Sequence, residues 1–166
     1  MTLVLLSFFP VLMAYAAVSD LATMTLPNWL SAALVVGFLA LALIAGLSLP
    51  TVGLCVALGL AVLLVGLALF AFGWVGGGDV KLATAIAMWM GVGDFMSFLV
   101  LMSVLGGAFT LAILLFRKLP LPAGLVRFGW LSRLHDQAAG VPYGVALAAA
   151  ALLVYPETAL FSGLAA

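Results

Sequence analysis

Asp20 and Asp79 are the two residues of this 166-residue chain best placed to do chemistry. Each stands at the end of an apolar run, where an ionisable side chain is costly and is a functional candidate by default. Two carboxylates that share a site do not both ionise comfortably, so one keeps a proton while the other acts as a base. Such a pair can activate a water molecule for attack on a peptide carbonyl and protonate the carbonyl oxygen in the same step. Taken singly, either aspartate also fits a helix N-cap or a solvated interfacial charge. Gly76, Gly77 and Gly78 directly precede Asp79. Three glycines open the backbone to positive φ and permit close approach of another chain, which makes them candidates for binding an extended substrate segment. A flexible stop between helices is the plainer use of the same residues. Pro142 and Tyr143 open the last apolar run, where they either line a substrate groove or only start a helix. Lys81, two residues past Asp79, points to another side of a helix and reads as a cation reaching for the interface. His135-Asp136 reads as a solvated helix end rather than a catalytic dyad. No His or Cys residues cluster with metal-ligand spacing, so neither a metal nor a cofactor is expected. The lone Cys55 excludes an intramolecular disulfide.

The elements that must position these groups follow from composition. Hydrophobic residues make up 68% of the chain and charged residues 6%, against about 25% charged in an ordinary soluble domain. Mean hydropathy is +1.46. Five basic and five acidic side chains cannot clothe a water-facing surface or neutralise many phosphates, which excludes a soluble enzyme and a nucleic-acid partner. Membrane lipids are the natural surroundings. A helix crossing the hydrocarbon core needs about 20 apolar residues. Such runs extend from about Thr2 to Ser19, Asn28 to Leu49, Thr51 to Trp74 and Phe95 to Phe116, with shorter ones from Val80 to Met90 and Val141 to Tyr155. Asp20 ends the first run. Pro27 suits a first helical turn, Pro50 marks a short turn, and the stretches Gly76–Gly78 and Gly91–Asp94 break the chain between runs. Leu125, Phe128, Leu131 and Leu134 recur every three residues beside Arg127 and Arg133, which predicts a short amphipathic helix lying on the membrane surface. The expected fold is therefore all-α: a polytopic membrane helical bundle of about six transmembrane helices plus a short cytoplasmic interfacial helix, forming one integral-membrane domain over residues 1–166. Ala14-Tyr15-Ala16 looks like a signal-peptide cleavage site, but no Lys or Arg precedes the first run, as a signal peptide requires.

Orientation follows from the basic residues. Arg117, Lys118, Arg127 and Arg133 lie in one connection, which the positive-inside rule makes cytoplasmic. Counting back over six spans brings Asp20, Asp79 and Lys81 to that same face and sends Asp94 to the other. Gly59, Gly66 and Gly73 recur every seven residues and predict a smooth stripe for close helix packing, with Gly106-Gly107 as a second such contact. Trp29, Trp74 and Trp130 read as interfacial belt residues, and Met88, Trp89 and Met90 as lipid- or core-facing.

Three motifs then occur together. Asp20 is followed by Leu26-Pro27-Asn28, then by Gly76-Gly77-Gly78-Asp79-Val80-Lys81-Leu82, then by Val141-Pro142-Tyr143-Gly144-Val145-Ala146. Their order and spacing resemble the type IV prepilin peptidase family of GxGD aspartic proteases, over about Phe8 to Ala150. The match looks closest to the short, Tad-type branch that processes Flp-type pilins and pseudopilins. The resemblance implies a multi-pass bacterial inner-membrane endopeptidase that removes short leaders from prepilin and pseudopilin precursors, with its active site facing the cytoplasm. It also implies that Asp20 and Asp79 are the catalytic pair. Larger members carry a cysteine-rich domain and N-methylate the new terminus. This chain begins directly with the first span and has one Cys, so methyltransferase activity is not expected. The segment after the first aspartate, often basic in the family, here reads Leu-Ala-Thr-Met-Thr. A competing reading of the same residues is a small proton-coupled transporter or channel subunit, with Asp20 and Asp79 as relay groups at different depths. A non-enzymatic scaffold using its glycine stripes for partner helices is another.

Overall fold

The computed structural model describes residues 2–122, 124–125 and 127–165. Among the described residues seven α-helices follow in order: α1 Thr2–Thr23, α2 Asn28–Ile44, α3 Leu49–Ala71, α4 Gly77–Lys118, α5 Gly129–His135, α6 Tyr143–Val154 and α7 Ala159–Ala165. A short 3-10 turn, Tyr155–Glu157, joins the last two. The described residues contain no strand, as expected for an all-α chain. All six apolar runs are helical. By length and hydropathy, however, α1, α3 and α4 are the helices able to cross a membrane, or four spans if α6 and α7, bent by 54°, form one. The count of about six spans is not confirmed by that measure, because α2 has 17 residues and two of the runs lie within α4.

Helix boundaries have local causes. Helix α1 continues one turn beyond Asp20, so that residue sits inside a helix instead of capping it. The helix stops where Met24 takes φ 53°, just ahead of the Leu26-Pro27 step that disfavours helical backbone. Pro27 then precedes α2 with extended dihedrals. Ser48 caps α3, its Oγ accepting from the Thr51 N–H at 3.3 Å.

Helix α4 is broken at Gly91, whose φ of 63° and ψ of 178° no other residue type adopts readily. A straight helix would hold Asp79 and Arg117 roughly 57 Å apart. Instead, Arg117 bonds to the Gly140 carbonyl, four residues from Gly144, whose N–H reaches Asp20. The two arms of α4 therefore fold back on each other, and the break falls where the sequence placed the turn between its fourth and fifth runs. The first arm packs on α3 through Gly59 and Gly66: a Cβ at these positions would lie 2.7 Å from Met88 Cγ and 2.6 Å from Val80 Cγ1. Gly73 does not continue this stripe. It has φ +74° with nothing within 4 Å of a Cβ, and it turns the chain after α3. Gly106 packs against Tyr143, whereas a Cβ on Gly107 would meet nothing.

The core runs from Ala16, Leu30 and Leu82, within a turn of the site-bearing helix ends, to an aromatic cluster around Trp89. Trp89 is 1% exposed, stacks near Phe9 at 4.6 Å and donates its indole N–H to the Leu34 carbonyl at 2.9 Å. Phe38, Tyr155 and Phe161 complete the cluster. Met88, Trp89 and Met90 are thus core residues. The surface helix is shorter than the leucine spacing suggested: α5 holds Leu131 and buried Leu134, while Leu125 and Phe128 lie in the turn before it.

Candidate active site

Four helix ends converge at one end of the bundle. The last turns of α1 bring Asp20, the first turn of α2 brings Asn28, the first turn of α4 brings Asp79, and the first turn of α6 brings Gly144. The contacts between them are specific. Lys81 Nζ donates to Asn28 Oδ1 at 2.7 Å, tying α4 to α2. Arg133 donates to the Ala22 carbonyl at 2.8 Å, tying α5 to the end of α1. A Cβ on Gly78 would come within 3.2 Å of Leu26, so the turn before α2 rests directly on the start of α4.

Asp20 is 5% exposed, and its Oδ2 accepts the Gly144 N–H at 2.7 Å. Asp79 is half-buried. It lies in the first turn of α4, where an acidic side chain is favoured by the helix dipole, and its carboxylate turns back to accept the Gly76 N–H. The two carboxylates are close enough for the charge on Asp20 to act on Asp79. They come from helices 59 positions apart in sequence and meet at the same end of the bundle. That arrangement weighs against a relay strung through different depths. A buried carboxylate within electrostatic reach of a half-buried one, each oriented by a backbone donor, is the kind of pair that can share one proton.

The glycines before Asp79 do not use positive φ, which among the described residues is confined to Gly46, Gly73, Gly91 and Met24. They serve close approach instead. A Cβ on Gly76 would lie 2.9 Å from Asp79 Oδ2, and one on Gly77 would lie 3.4 Å from the Phe70 ring. The partners of these glycines are thus Asp79, Phe70 and Leu26. Gly76 remains exposed at the rim of the site. Pro142 is buried ahead of α6, and Tyr143 is 38% exposed with its ring against Gly106. Both adjoin Gly144 and hence Asp20.

His135 Nε2 bonds to the Leu119 carbonyl at 2.8 Å, and Asp136 Oδ1 accepts the Ala138 N–H at 2.9 Å. These contacts hold the connection around α5 and form no dyad. The described residues contain no group of three or more His, Cys, Asp or Glu able to hold a metal ion. Trp29, Trp74 and Trp130 are all exposed around the end of the bundle that carries the aspartates. Sequence reasoning missed Gly144 as a site residue. Its place in the Val141–Ala146 motif was visible, but a backbone donor leaves no side-chain signature.

The type IV leader peptidase family matches residues 7–111, a segment that contains both Asp20 and Asp79 and stops short of Gly144. No curated protein and no solved structure matches the chain.

Proposed function

The chain belongs to the type IV leader peptidase family, and from that premise we propose that it is an aspartic endopeptidase of the GxGD type whose catalytic groups are Asp20 and Asp79. Its substrates are Flp-type prepilins and pseudopilins, cut in the bacterial inner membrane on the cytoplasmic side. The observation that carries the reading is the convergence of Asp20 from α1 with Asp79 from the start of α4.

The chemistry follows from the pair. The ionised carboxylate takes a proton from water as the water oxygen attacks the scissile carbonyl carbon. The protonated carboxyl gives its proton to the carbonyl oxygen, so a neutral tetrahedral diol forms instead of an alkoxide. The carboxyl that took the water's proton passes it to the peptide nitrogen, the C–N bond breaks with departure of the amine, and a carboxylate takes one hydroxyl proton of the diol as the new carboxyl terminus forms, so the pair is left again with one proton. The substrate's apolar helix stays in the membrane beside the bundle, and its leader junction lies extended near Gly76, Pro142 and Tyr143. Cytoplasmic placement is supported by the clustering of Arg117, Lys118, Arg127 and Arg133 in one connection.

The test is co-expression with a precursor encoded in the same genome. Wild-type membranes should accumulate the shortened pilin, while Asp20→Asn and Asp79→Asn membranes should hold the protein at normal levels with the precursor uncut. Full processing by either variant refutes the assignment. A proton flux across proteoliposomes that needs both aspartates, without cleavage, would favour the transporter reading.

A further inference from the structure

We propose that Gly144 is a positioning residue for Asp20, and that Arg117 acts on Asp20 through it. The inference rests on the reading of Asp20 as a catalytic group.

Gly144 is buried in the first turn of α6, two residues after Pro142. In that turn a backbone N–H has no partner inside its own helix, and here it donates to Asp20 Oδ2 at 2.7 Å. The glycine is required for space and not for backbone freedom, since its φ is not positive. A Cβ at this position would stand 2.7 Å from Asp20 Oδ2 and 3.1 Å from both Asp20 Cβ and Cγ. Asp20, at 5% exposure, has little room to swing aside. Any side chain at 144 therefore displaces the carboxylate or parts α6 from α1.

The segment that delivers Gly144 is itself anchored. Arg117, at the end of α4, is 8% exposed. Its Nε donates to the Leu134 carbonyl and its Nη2 to the Gly140 carbonyl, both at 2.8 Å. The planar guanidinium spans two carbonyls at once, which a lysine ammonium on a flexible stem does not reproduce. Only Val141, Pro142 and Tyr143 separate Gly140 from Gly144, and the ring of Pro142 fixes one dihedral of that link. Movement of Gly140 is therefore passed to the N–H that holds Asp20.

The experiment is a double-mutant cycle on the full-length protein, with purified precursor as substrate. Gly144→Ala should lower kcat by about 100-fold, the cost of misplacing a catalytic group by about 1 Å, and leave KM within about twofold. Arg117→Lys should lower kcat by roughly 10-fold, again without raising KM, as expected for loss of one hydrogen bond. The double variant should be no slower than Gly144→Ala alone, because both changes act through one contact. A Gly144→Ala enzyme as fast as wild type, or single effects that multiply in the double variant, overturns the proposal while Asp20→Asn stays inactive. Should Gly144→Ala fail to fold, Arg117→Lys decides: unchanged kcat rejects the relay. A second readout needs no activity. In a spectrum of the 15N-glycine-labelled protein, Asp20→Asn and Arg117→Lys should both move the Gly144 amide resonance, and Asp94→Asn should not. An unmoved resonance refutes the contact even if the wild type cuts nothing, an outcome that would separately refute the proposed function.

Discussion

Replacement of Gly66 by alanine tests whether α3 is a structural buttress for the first arm of α4. The added Cβ would sit 2.6 Å from Val80 Cγ1 and 3.2 Å from Val80 Cγ2. Ordinary carbon contacts lie at about 3.5–4.0 Å, so the overlap is close to 1 Å. Val80 cannot rotate away cheaply, because it is β-branched, helical and 4% exposed. The two helices must separate instead, at a cost of about 1–3 kcal/mol for overpacking a filled interface. For a chain of this size that lowers Tm by roughly 2–12 °C. Because Val80 directly follows Asp79, the same displacement should slow cleavage. The assay is thermal unfolding of the purified protein in detergent, alongside precursor processing. Gly66→Ala with Val80→Ala should recover most of the loss, since the second change removes both clashing methyl groups. A Gly66→Ala protein that melts with wild type refutes the packing argument, as does a double variant whose losses simply add.

Other consequences can be checked independently. A carboxylate pair that works with one shared proton should give a bell-shaped rate profile: below the first ionisation of the pair no base is available, and above the second no acid is left. A rate still climbing well above neutral pH contradicts the shared proton. Trp89→Phe keeps an aromatic ring in the core but removes the donor to the Leu34 carbonyl, so it should destabilise by about 1 kcal/mol, and an unchanged unfolding midpoint would show that the bond contributes nothing. For topology, Cys55→Ala removes the native thiol, and a cysteine introduced by Gln137→Cys lies at an exposed position of the basic connection. A membrane-impermeant maleimide should label it in inverted vesicles and not in intact spheroplasts, and the reverse pattern contradicts the cytoplasmic placement.

Much of the helix content and the aspartate pair were legible from residue types. Uninterrupted apolar runs, Pro27 ahead of α2, and the Gly91 break are local signals, and local signals survive in one sequence. The geometry of contact was less legible. Apolar helices of a membrane protein carry apolar residues on every face, so periodicity does not say which face packs inward. Burial of Trp89 and Phe9 within one cluster, and exposure of Leu64 and Val65 on α3, are set by which helices meet. The glycines show the same limit. Gly59, Gly66 and Gly73 are spaced alike, yet two face α4 and the third turns the chain with φ +74°. Gly76, Gly77 and Gly78 suggested an open backbone, but their use is close approach to Asp79, Phe70 and Leu26. Gly144 meets Asp20 across 124 positions, a pairing that no local pattern encodes.

The role proposed for Asp20 and Asp79 is that together they cut a peptide bond. It is met most directly by incubating the purified protein with a purified precursor and following the masses of leader and mature pilin, for wild type and for each Asp→Asn variant. Loss of a general acid or base removes about 100- to 10,000-fold in rate. The wild type should make one cut, and neither folded variant should give product above background. Cleavage at the wild-type rate by Asp20→Asn or by Asp79→Asn would contradict that role.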